Sequence, residues 1–238
     1  MNGSKKLAAA LAAGALTLGI GTLSATAALA QPTTIDRTRD LAAEKVRCTA
    51  AIDVRLPELT KLTAALNGAK NVTDAHKSAQ LASLSAATSG LTALKPKIAA
   101  DADGATLKTD CDSIFTSYRV FALRAPQTRL IIAGDVESYT TGRLDQVVPK
   151  LSDAIDKAAA SGKNVDAAKT ALADLKAKLA DAASQSGNVA DNVVGDTPAD
   201  YNANHDLLDG ARNQVKAAAA DLKAARADVK TITAALKA

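Results

Sequence analysis

Apolar side chains recur every three or four positions along most of this chain, the spacing of helices rather than of strands. Cys48, Ile52, Leu59, Leu62 and Leu66 define one stripe, with Thr33–Asp36 as a polar start and Asn67-Gly68 as a stop. Pro57 lies inside this run and predicts a kink or a restart. Thr73-Asp74 offers the next N-cap, ahead of Leu81, Leu84, Leu91, Leu94 and Ile98. A break around Asp101–Gly104 precedes a third helix, expected from about Thr106 to Ala125, with Cys111, Ile114, Phe115, Tyr118 and Phe121 on its buried face. Pro126 suits the first turn of a fourth helix. Its Leu130, Ala133, Leu144, Val147, Leu151, Ala154 and Ala158 form one face, and Ile132, Val136 and Tyr139 lie on a second. Two apolar faces predict a central helix, bent at Pro149 and stopped at Ser161-Gly162.

The last third has the most regular pattern. Val165, Ala168, Leu172, Leu175, Leu179, Ala182, Ser186, Val189 and Val193 alternate steps of three and four up to the turn Gly195-Asp196-Thr197-Pro198. The same alternation returns through Tyr201, Asn204, Leu208, Ala211, Val215, Ala218, Leu222, Ala225, Val229, Ile232 and Leu236. Two such runs joined by a turn predict a long antiparallel coiled-coil-like hairpin over residues 161–238, following a helical bundle over residues 31–160. The fold class read from the pattern is all-α and elongated.

Composition sharpens this picture. About a quarter of the residues are alanine, which favours helix and buries little area per turn. Aromatic residues make up 2% of the chain. Four of the five, Phe115, Tyr118, Phe121 and Tyr139, lie in or beside Tyr118–Asp135 (YRVFALRAPQTRLIIAGD), the stretch least diluted by alanine. Such a chain suits long, closely packed helices better than a core built around a deep pocket.

The first thirty residues change the charge balance. Lys5 and Lys6 precede an uncharged stretch that ends in Ala28-Leu29-Ala30, the pattern of a secretory signal peptide cut after Ala30. Glycines and hydroxyl residues dilute that stretch, which argues against a retained membrane anchor, and no second apolar run follows it. Without Lys5 and Lys6 the formal net charge falls from +4 to about +2. The charge is not the clustered basic surface of a nucleic-acid binder. Both cysteines, Cys48 and Cys111, lie in the exported part, where an even count predicts a disulfide; no C-x-x-C motif or neighbouring histidine supports a redox or metal pair.

Few residues suggest chemistry. The three glutamates, Glu44, Glu58 and Glu137, are too few for a di-iron carboxylate site, and there is no nucleophile elbow, zinc-protease motif or phosphate-binding loop. His76 reads as a surface residue near a helix cap. Asp200, Asn202 and Asn204, ahead of His205 and Asp206, echo the start of a calcium loop, but His205 stands where glycine is wanted and Ala211 where the bidentate glutamate belongs. Helix capping accounts for the same residues. Arg119, Arg124 and Arg129 could form an anion site near Asp135, or sit as solvated arginines over apolar surface.

In Thr197–Arg212 (TPADYNANHDLLDGAR), the following DLKAARADVKTITAALK and the aromatic stretch, the chain resembles secreted alanine-rich helical proteins of high-GC actinobacteria. The resemblance implies an exported helical protein and transfers no activity, cofactor or site residue. The expectation is a non-enzymatic structural or interaction module of the cell envelope or secreted space, without cofactor or metal. Its partner would be an envelope protein or a second copy, not nucleic acid, and not a membrane once the leader is cut. The alternative is a small-ligand or metal-binding bundle using the arginines or the Asp200–Asp206 stretch.

Overall fold

The computed structural model describes residues 34–237, with side chains from residue 38, and every regular element among them is helical. The expected leader and the polar start at Thr33–Asp36 fall outside the described side chains. In order the elements are α1 (Thr34–Gly68), α2 (Asp74–Ala100), α3 (Gly104–Thr116), a π turn (Val120–Arg124), α4 (Ala125–Asp145), α5 (Val148–Ala160), α6 (Asp166–Ser186), α7 (Val189–Val194), α8 (Pro198–Ala203) and α9 (Asp209–Lys237). No described helix is long and apolar enough to cross a membrane.

Helix α1 runs through Pro57 without interruption, so the restart expected there does not occur. Proline removes one helical hydrogen bond and crowds the preceding turn. Ile52 and Leu59, fully buried on either side of it, anchor both halves of the helix to the same core. Thr73 caps α2 by accepting from the His76 N–H at 3.2 Å. The left-handed residue in the connection is Asn71, with φ 64°, rather than Gly68. Asn tolerates that region better than most side chains.

The third helix is shorter than its pattern predicts. It stops at Thr116; Arg119 takes a left-handed conformation with φ 44°, and the chain re-enters helix through the π turn. A left-handed non-glycine residue costs roughly 1–2 kcal/mol. Contacts from α8 offset it. The Arg119 Nε–H donates to Asn202 Oδ1 at 2.6 Å, its guanidinium lies over the Tyr201 ring, and Asn202 Nδ2 donates to the Thr116 carbonyl at 3.0 Å. The break corrects the expected burial of this segment. Cys111 and Ile114 are buried, but Phe115 and Phe121 are 47% and 48% exposed, as is Tyr139 at 48%.

Helix α4 occupies the centre and packs on α1, α6, α7 and α9, as its two apolar faces predict. The chain breaks at Gln146-Val147, and Pro149 falls in the first turn of α5. Gly162, with φ +80°, ends α5: its N–H meets the Ala159 carbonyl and the Lys163 N–H meets that of Ala158.

Two hydrophobic clusters result. The first gathers α1, α2, α3, the π turn and α4 around side chains such as Leu84, Leu91, Ile114 and Ile131, with the Cys48 and Cys111 sulfurs at bonding distance and their Cα atoms 5.5 Å apart. The second joins α5, α6 and α9 around Leu175, Ala168, Ala182, Ala225 and Ile232. Helices α6 and α9 run antiparallel. Lys163, just ahead of α6, reaches the Leu236 carbonyl at 3.3 Å, whereas Lys178 further along reaches Asp221 at 3.1 Å.

The two arms expected to be continuous are both interrupted. Gly187-Asn188 separates α6 from α7, and Asn204–Leu208 separates α8 from α9. Val189, Val193, Leu208 and Ala211 are buried, as the repeat predicts, but in the first cluster rather than between two arms.

Candidate functional site: a polar seam between α2, α4 and α7

The most site-like arrangement among the described residues is a line of buried and half-buried polar groups where α2, α4 and α7 meet. At one end stands Asp135 of α4, 8% exposed. Its Oδ2 accepts the Thr73 N–H at 2.8 Å, and both its oxygens lie 3.0 Å from His76 Nδ1. His76 Nε2 lies 2.8 Å from Oδ1 of Asp191 on α7. One imidazole thus ties three helices together. Burial lowers the His76 pKa, but hydrogen bonds to Asp135 and Asp191, reinforced by their charges, outweigh it and raise it above 6.5. When protonated, the ring donates to a carboxylate at each nitrogen.

Farther along the seam, Gln80 Nε2 donates to Thr128 Oγ1 at 2.8 Å, and Thr128 donates to the Arg124 carbonyl at 2.7 Å. Gln127 Nε2 donates to the Val193 carbonyl at 2.6 Å and the Asp196 carbonyl at 3.0 Å, closing the C-terminal end of α7. Gln80, Gln127 and Thr128 are fully buried. Arg124 donates to Gln127 Oε1 at 3.0 Å and to the Asp196 carbonyl at 3.2 Å. Burial lowers its pKa, opposed by the charge of Asp196. Gly134 lets the helices meet this closely: a Cβ there would stand 3.0 Å from Val189 Cβ and 3.3 Å from the Ala190 amide nitrogen.

No family model matches this chain, and neither does any curated protein or solved structure.

The residues singled out as an anion site are dispersed. Arg119 serves α8, Arg124 serves the seam, Arg129 pairs with Glu58 at 3.6 Å, and Asp135 belongs to His76. The calcium-like stretch is also spent locally. Asp200 closes a capping box with Thr197, Asn202 holds the end of α3, and Asn204 Oδ1 accepts the Asp206 N–H at 3.0 Å. His205 is exposed, its ring centroid 5.3 Å from that of Tyr201.

His76 sits at the cap of α2, as the sequence suggests, but its side chain is largely covered, 13% exposed, because Asp135 and Asp191 approach it from 59 and 115 residues away. Within the seam the imidazole has a carboxylate on each nitrogen, and the Thr128 hydroxyl donates to the Arg124 carbonyl. Glu137 of α4 is separate. Burial pushes its carboxyl up to about 7, and its Oε2 is buried with no hydrogen-bond partner.

Proposed function

We propose that the chain is an exported, non-enzymatic structural or interaction module of the cell envelope or secreted space. The observation that carries this reading is the surface beside the π turn. Phe115 and Phe121 are half exposed, and the Arg55 guanidinium sits against both rings, 4.5 Å and 5.3 Å from their centroids. On α1, Val46 and Val54 are 69% and 61% exposed, with Ala50 between them and Pro57 beyond, all at helical spacing on the solvent side. Aromatic residues and arginine are the types enriched where proteins meet. A chain with five aromatics that leaves both phenylalanines half exposed has an apolar surface suited to a partner. The paired cysteines fit an oxidising compartment, which supports export.

Light scattering and crosslinking of the chain, followed by retention of envelope proteins on the immobilised chain, test this reading. Val54→Ser combined with Phe121→Ser is expected to abolish the association, and the buried variant Gln80→Met to leave it. A strict monomer that retains nothing from the envelope fraction contradicts it.

A further inference from the structure

At the far end of α1 the sulfurs of Cys48 and Cys111 and a carboxylate oxygen of Glu44 all lie within 4.8 Å of one another. Glu44 stands one helical turn before Cys48, which aims its side chain along the same face. Its Oε1 is 3.7 Å from Cys48 Sγ, while Oε2 pairs with Arg47. A disulfide sulfur has no proton to donate, so in the oxidised chain the 3.7 Å approach of the half-exposed Glu44 Oε1 to Cys48 Sγ is a contact and not a hydrogen bond. An open groove of about 580 Å³, lined in part by Glu44, Leu107, Lys108 and Asp112, leads solvent to the spot.

We propose that reducing the Cys48–Cys111 bond converts this corner into a binding site for a thiophilic divalent cation of the zinc type, with Glu44 as the third ligand. A dithiol reductant supplies two electrons and two protons: the S–S bond breaks, two thiols form, and the dithiol closes to its own disulfide. The cation then binds both sulfurs, and their two protons leave to solvent. Tetrahedral zinc holds two thiolates about 3.8 Å apart, given Zn–S of ~2.3 Å. The Cα separation of 5.5 Å allows that spacing by side-chain rotation alone. The fourth position opens on the groove, where water completes the set. Two thiolates and one carboxylate leave the loaded site with a net negative charge, which Arg47 and Lys108 flank. This site uses neither the arginines nor the Asp200–Asp206 stretch, and it stands or falls independently of the interaction surface.

Cobalt(II) is the probe. The chain is reduced with a dithiol, desalted without air and titrated with Co²⁺. The expected result is thiolate-to-cobalt charge-transfer absorption saturating at one ion per chain, none in the oxidised chain, and displacement by Zn²⁺. Glu44→Gln is expected to weaken binding at least about tenfold, and Zn²⁺ to raise the Tm of the reduced chain but not of the oxidised one. Absence of the absorption overturns the proposal, as does equal affinity in Glu44→Gln. Loss of helical circular dichroism on reduction that Zn²⁺ does not restore overturns it as well.

Discussion

The two hydrophobic clusters are built on different principles. The second, of α5, α6 and α9, is zipped by alanines: Ala168, Ala182 and Ala225 are all fully buried on the facing stripes of α6 and α9. Small side chains let two helices approach closely, but each contributes little transfer energy, so the contact must be long. The first cluster is filled with Leu and Ile, crossed by a disulfide, and edged by the polar seam. The hydrogen bonds of the seam, from His76 to Asp191, Gln80 to Thr128 and Gln127 to Val193, form only when α2, α4 and α7 meet in one register. Alanine repetition supplies adhesion that tolerates sliding; the seam supplies a single arrangement.

That contrast breaks most visibly where the first cluster is cross-linked. The disulfide spans 63 residues. Replacing Cys48 and Cys111 by Ala is expected to cost about 4 kcal/mol on the chain-entropy account. Denaturant unfolding followed at Phe115 and Tyr118 should shift by that amount, and a loss under 1 kcal/mol would mean that cross-linking adds little. Next comes Asp135→Ala, which leaves the half-buried His76 against one exposed carboxylate and frees the Thr73 N–H; the expected cost is about 3 kcal/mol. In the second cluster Leu175→Ala, at a fully buried position, is expected to cost about 2–3 kcal/mol. A cost no larger than that of an exposed Leu→Ala would deny that the α6–α9 contact is a packed core.

The pH response separates the clusters further. The folded pKa of His76 is raised, so the stability its bridge adds is fully present below about 6.5 and is lost as pH rises through the raised value. His76→Gln should flatten that part of the stability–pH curve, and an unchanged slope would remove the imidazolium bridge. Glu137 acts in the opposite sense, its carboxyl rising from 4.5 to about 7 on folding through burial. It therefore destabilises the fold progressively as pH rises from 4.5 to about 7, and Glu137→Met should relieve that loss. Comparing thermal unfolding at pH 5 and pH 8 in the two variants checks both.

Periodicity made the helices and most core positions legible. Ile52, Leu59, Leu84, Leu91, Ile98, Leu175 and Ile232 are all buried where their stripes place them. It could not say which stripe meets which. Val189 and Val193 keep the repeat of α6 yet pack beneath α4, because the break at Gly187-Asn188 redirects the chain. The break after Thr116 carried no local signal either, since neither glycine nor proline marks 117–119. Its cause is Arg119 held by Asn202, 83 residues away. The seam was unreadable for the same reason: Gln80, Gln127 and Thr128 look like solvated helix residues until their partners arrive.

Amide hydrogen exchange in Asp135→Ala tests most directly whether the seam, and not the alanine zipper, holds α2, α4 and α7 in place. The account predicts lost protection in the first turn of α2 and throughout α7, with α6 and α9 exchanging as in the unaltered chain. Loss spread evenly over all helices, or concentrated in α6 and α9, would contradict it.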